Sequence, residues 1–126
     1  MKSSAVFFAM TLLGMAGQAQ AQDAEAGKTV FNRCKACHTV DAPTNKVGPH
    51  LDGIVGRKAA SLPDFAYSAA MKAKGAAGLV WDEANLTSYL TDPKGFVPGN
   101  KMAFAGLKKP DEVANLIAYL KTATAK

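Results

Sequence analysis

The chain has 126 residues, with 15 lysines and arginines against 10 aspartates and glutamates, a formal charge of +5. That length holds one domain at most. The basic residues form no dense block and do not alternate with aromatics, which excludes a nucleic-acid-binding tail or groove, whereas a modest basic excess suits docking onto an acidic protein surface.

Lys2, the uncharged apolar run Ala5–Ala16 and the small-x-small triplet Ala19-Gln20-Ala21 predict a secretory signal peptide over residues 1–21. Cleavage after Ala21 leaves one domain, residues 22–126, of 105 residues and charge +4. The apolar run is too short for a permanent span, so no stable membrane insertion is expected, and the mature protein is placed in the periplasm. A domain of this size buries only about two-thirds of its surface and often relies on a disulfide, metal or cofactor. Its only cysteines are Cys34 and Cys37. Bridging them would close a tiny loop and constrain little.

Asp23 and Glu25 suit the first turn of a helix whose inner face carries Gly27, Val30, Phe31 and Cys34. Thr39 to Asp64 then holds Pro43, Gly48, Pro49, Gly53, Gly56 and Pro63 with no periodic pattern. A loop that long is uncommon unless it wraps something. Ser68 to Lys74 reads as a short helix capped by Ser68 and stopped by Gly75. Asp82 caps another, with Leu86, Tyr89 and Leu90 on one face, which Pro93 ends. Asp92 to Leu107 is a second irregular stretch. Pro110, Asp111 and Glu112 open a last helix with Val113, Leu116, Ile117 and Leu120 in one stripe, and Lys121 and Lys126 at its negative end. With strand patterns nearly absent, the fold class is all-α: terminal helices, two to three short helices, and long loops wrapped around a large apolar ligand.

Cys34-Lys35-Ala36-Cys37-His38 specifies that ligand, because it is the attachment sequence for c-type haem. Thiols three residues apart lie on one side of a helical turn, where they can meet the vinyl groups of neighbouring pyrroles. The imidazole that follows reaches the iron of the same ring. A zinc site needs two more ligands, and the only other histidine is His50. A thioredoxin-type dithiol needs a βαβ setting. For the iron's other face the residues offer Met71, Met102 and His50. Met71 suits core filling inside a short helix, while Met102 follows the stiff Pro98-Gly99-Asn100-Lys101 and is the favoured choice.

The chain resembles the class I cytochromes c, both the mitochondrial proteins and the bacterial periplasmic "c-two" type. The resemblance spans Asp23 to Lys126. It rests on Gly27 to Phe31, Cys34 to His38, Val47-Gly-Pro-His-Leu51, Gly56-Arg57, Phe65-Ala-Tyr67, Trp81, Tyr89-Leu90, Pro98 to Leu107 and Leu116 to Leu120. It implies the small cytochrome c fold around one haem c, bound through Cys34 and Cys37, with His38 and Met102 on the iron. It also implies that the Pro49 carbonyl orients His38 and that the Tyr89 phenol bonds the methionine sulfur. Arg57, Tyr67 and Trp81 become haem-propionate partners, and Gly27 and Phe31 the crossing with the last helix near Tyr119. Asn100 and Ala103 depart from the usual threonine and isoleucine, and the stretch between Tyr67 and Trp81 is longer than in mitochondrial proteins.

Filled axial positions leave no place for a substrate, so the expected function is one-electron transfer rather than catalysis. The resemblance places the carrier between a quinol-oxidising cytochrome bc complex, or a periplasmic dehydrogenase, and a terminal oxidase or photosynthetic reaction centre. Lys46, Lys94, Lys101, Lys108 and Lys109, with Arg33, are expected to ring the haem edge and meet acidic faces of larger redox proteins. A monomer is expected. The rival classes are a small haem peroxidase or gas sensor, which needs an open iron site, and a thiol oxidoreductase, which needs free cysteines.

Overall fold

The computed structural model describes residues 22–123, so the expected signal peptide and Lys126 lie outside the described residues. Five helices follow among the described residues, in chain order: α1 Ala24–Phe31, α2 Ala69–Ala76, α3 Glu83–Thr91, α4 Pro93–Phe96 and α5 Pro110–Ala123. Among the described residues the only β-type pairing is one isolated bridge between Lys58 and Val80. The architecture is the expected all-α one.

α1 and α5 cross and anchor the domain. Asp23 is the N-cap of α1 rather than part of its first turn: its carboxylate accepts from the amides of Glu25 and Ala26, a cap worth about 1 kcal/mol. The Asp23 amide in turn donates to the Asn115 side chain of α5 at 2.9 Å. At the crossing a Cβ on Gly27 would collide with the Asn115 carbonyl and the Tyr119 Cβ. A side chain there would force the helices apart at a cost of about 1–3 kcal/mol. The Phe31 and Tyr119 rings meet at 5.5 Å. Val30, Phe31, Val113, Leu116, Ile117 and Leu120 are buried together with Leu86 of α3 and with Val97 and Leu107 of the loops.

α2 differs from its expected end. It runs through Gly75 to Ala76. Gly75 is not a stop: a Cβ there would strike the Ala59 carbonyl, so the glycine permits loop and helix to touch. The chain reverses at Gly78 instead, at φ +94°, where L side chains are disfavoured. Leu79 to Trp81 then pairs with the long loop through Ala59 N–H to Leu79 O at 2.9 Å and Trp81 N–H to Arg57 O at 2.8 Å. Pro93 ends α3 as expected but also opens the one-turn α4, whose Asp92 cap accepts from Gly95 N–H. The irregular stretches are thus held by scattered backbone bonds; they bury Val40, Ile54, Val97 and Leu107 in the core and also line a cavity.

Candidate haem site

That cavity has a volume of about 350 Å³. Cys34, Cys37, His38 and Met102 all line it, among Leu51, Ile54, Trp81, Leu86, Phe104, Leu116 and other largely apolar residues.

Past the end of α1 the chain continues in tight turns, with Cys34 N–H to Phe31 O at 2.8 Å and His38 N–H to Cys34 O at 2.9 Å. These turns hold both cysteines and His38 at the cavity. Cys34 and Cys37 are not joined in a disulfide, which leaves both sulfurs for another partner. Burial pushes the Cys34 thiol up from its ordinary pKa, with Arg33 opposing and Cys37 adding to the rise. Arg33 itself is paired with Glu112, in the first turn of α5, at 3.1 Å.

The His38 ring is fixed on two sides. Its Nδ1 donates to the Pro49 carbonyl at 2.7 Å. In a neutral imidazole this leaves Nε2 with the free lone pair. Burial lowers the His38 pKa below the usual histidine value, the Pro49 bond partly opposes this, and the charges of Arg57 and Lys46 add to the lowering. The ring is therefore neutral at pH 7, the form that binds a metal. Gly48 backs the ring so closely that a Cβ there would lie 2.8 Å from Nδ1 and 2.9 Å from Nε2. In the sequence Gly48 is only a member of the long loop and of the Val47–Leu51 motif, with no role of its own. The available sign was a glycine directly before the proline whose carbonyl holds the ring. The loop is fixed there by Gly48 N–H to Cys37 O at 2.8 Å and Leu51 N–H to Thr39 O at 2.7 Å.

Of the three sulfur or nitrogen candidates for the opposite ligand, Met71 and Met102 both line the cavity, and His50 is not among its lining residues. Met71 belongs to α2, and both methionines pack against the core. Met102 lies with its Sδ 4.0 Å from the Tyr89 hydroxyl. Burial pushes the Tyr89 pKa up to about 12, so the phenol keeps its proton at neutral pH. The Tyr89 ring also meets that of buried Trp81 at 4.9 Å, tilted by 42°.

Arg57 and Tyr67 line the cavity as well. The Arg57 guanidinium donates to the carbonyls of His50 at 2.9 Å and Asp52 at 3.3 Å. The Tyr67 hydroxyl accepts from Leu62 N–H at 3.2 Å. Both polar heads are thus held by the 50–62 loop at the cavity wall. Among the described residues no group of three or more His, Cys, Asp or Glu side chains could hold a metal ion.

The residues fit a covalent haem. Two thiols on one turn can each add across a vinyl group, a neutral imidazole presents Nε2, thioethers are available, and the rest of the wall is mainly apolar. The comparisons with known proteins agree. The family model "Cytochrome c" matches residues 24–124. Cytochrome c2 of Afifella marina is 52% identical over 98 residues, covering 77% of this chain and 79% of its own. Cytochrome c-550 of Nitrobacter winogradskyi is 52% identical over 99 residues, covering 78% and 88%. The solved structure of cytochrome cH from Methylobacterium extorquens superposes with a TM-score of 0.72 at 48% identity, covering 79% of this chain and 98% of that one. A match running through both terminal helices and every cavity loop leaves one conclusion: the chain belongs to the cytochrome c family, as an electron-transfer protein that carries covalent haem c.

Proposed function

We propose that this protein is an exported periplasmic carrier that moves single electrons between larger redox proteins, with its iron held by His38 and Met102. The observation that carries the reading is the convergence of Cys34, Cys37, His38 and Met102 on one mainly apolar cavity. Haem, when bound, supplies an iron that cycles between two oxidation states. The chain does the rest. The Pro49 carbonyl and the Gly48 backbone hold the imidazole with Nε2 presented. The Tyr89 hydroxyl stands beside the Met102 sulfur. A thioether ligand in a low-dielectric pocket favours the ferrous state and raises the potential. Arg57, Tyr67 and Trp81 line the wall assigned to the propionates.

Donor and acceptor follow from the family resemblance: a quinol-oxidising cytochrome bc complex or periplasmic dehydrogenase on one side, and a terminal oxidase or photosynthetic reaction centre on the other. Docking is assigned to the five lysines expected at the haem edge, and they are not equivalent. The Lys46 ammonium donates to the Lys35 carbonyl at 2.8 Å. The Lys108 ammonium donates to the carbonyls of Thr91 at 2.9 Å and Ala105 at 3.1 Å. All five are exposed, and of the five Lys101 alone lines the cavity. No helix among the described residues is long and apolar enough to cross a membrane.

Cell fractionation with intact mass under denaturing conditions tests the reading. The expected species is in the periplasmic fraction, begins at Gln22 and carries one haem that survives acid acetone. A cytoplasmic chain retaining residues 1–21, or one with free thiols, would contradict it.

A further inference from the structure

The Met102 segment is suspended between two anchors. On its far side Leu107 N–H donates to Leu90 O at 2.8 Å, and Lys108 bonds the Thr91 carbonyl. On its near side everything converges on Asn100, which is buried at 7% exposure. Its Nδ2 donates to the carbonyls of Pro93 and Val97, both at 2.9 Å, and its Oδ1 accepts from Met102 N–H at 2.9 Å. The Asn100 amide itself donates to Val97 O at 3.1 Å. One carboxamide therefore ties residue 102 to both ends of α4, and Val97 at that junction is fully buried. Two donors and one acceptor are all used, a set that only a carboxamide provides at this size. A hydroxyl could donate once, and a carboxylate would set negative oxygen against two carbonyls.

We infer that Asn100 is a positioning residue for the Met102 thioether: its carboxamide latches the methionine segment to α4 and so limits how often the sulfur leaves the iron. This rests on the reading that Met102 is an iron ligand. The sulfur's own hydrogen bond is the long one from the Tyr89 hydroxyl at 4.0 Å. Without the latch the segment keeps its far anchor and the backbone bond from the residue 100 amide to Val97 O, and the cost of moving the sulfur away falls by the lost side-chain hydrogen bonds, each of ordinary strength.

The test is imidazole binding to the ferric holoprotein, which requires methionine displacement and is read from the visible spectrum. Asn100→Ala should raise the imidazole affinity about tenfold, a change of about 1.4 kcal/mol. Asn100→Thr, which retains an acceptor for Met102 N–H and one donor, should fall between that variant and the parent. Val30→Ala, a core truncation away from the cavity lining, should lower the unfolding midpoint and leave imidazole affinity unchanged. Equal affinity in Asn100→Ala and the parent overturns the inference, and so does an equal rise in Val30→Ala. If Asn100→Ala does not accumulate as holoprotein, Asn100→Thr decides: a rise supports the latch and no change overturns it. Met102→Ala separates the two claims. If it leaves imidazole affinity at the parental level, the methionine assignment itself has failed. If it opens the site while Asn100→Ala does not, only the latch has failed.

Discussion

The two sides of the cavity are built differently. His38 follows the cysteines directly, and its ring is clamped by the Pro49 carbonyl on one nitrogen and the Gly48 backbone against its face. The Met102 sulfur has one polar neighbour at 4.0 Å, and its order comes from bonds made by its backbone and by Asn100. One ligand is fixed through its side chain, the other through its segment. Filling space should therefore damage the histidine side most, and cutting hydrogen bonds the methionine side.

The largest effect is expected at Gly48. Gly48→Val puts a branched side chain where even a Cβ would lie 2.8 Å from Nδ1, so the ring must move or the loop must open. We expect loss of about 1–3 kcal/mol of stability and a clear fall in the fraction of chain matured with haem, read from the haem-to-protein absorbance ratio. Normal maturation and stability would show that the loop yields easily and that His38 is held by Pro49 alone.

The methionine side should also weaken at alkaline pH, through Tyr89. Burial raises Tyr89 from 10 to about 12. Its contribution is complete below pH 10 and is lost as pH rises through 12. Denaturant midpoints should fall less steeply between pH 10 and 12 in Tyr89→Phe than in the parent, with the acid side unchanged. Parallel alkaline slopes would show that the phenol does not titrate with unfolding.

Docking should be the mildest term. Lys101 lines the cavity and Lys72, on α2, does not. Lys101→Glu should slow electron exchange with an acidic partner, and raising salt should shrink the difference, the Debye length being about 10 Å at 0.1 M. Lys72→Glu should change the rate far less. Stopped-flow rates against ionic strength decide it: equal effects, or rates independent of salt, would remove the basic edge as a steering surface.

The same contrast governs what could be read from the sequence. The histidine side was legible because attachment to one ring fixes five consecutive residues, and because the terminal stripe Val113, Leu116, Ile117, Leu120 declares its helix. The methionine side was legible only as a choice, since residues from α2 and from the 92–107 stretch meet at the cavity through tertiary folding. Gly75 misled for a related reason. A glycine closing a helical pattern reads as a stop, yet this one serves a contact with Ala59 that local sequence does not contain. Asn100 stood out only as a departure from threonine. Its three partners at Pro93, Val97 and Met102 become visible once α4 folds back.

The most direct test of the central claim is the iron–sulfur charge-transfer band of the ferric protein, recorded with the potential for the parent, Met102→Ala and Met71→Ala. The account predicts a band and a high potential in the parent. Met71→Ala should retain both, and Met102→Ala should lose the band, drop in potential and bind added cyanide while staying haem-loaded. Loss of the band in Met71→Ala with its retention in Met102→Ala, or a parent that already binds cyanide readily and shows no band, would contradict it.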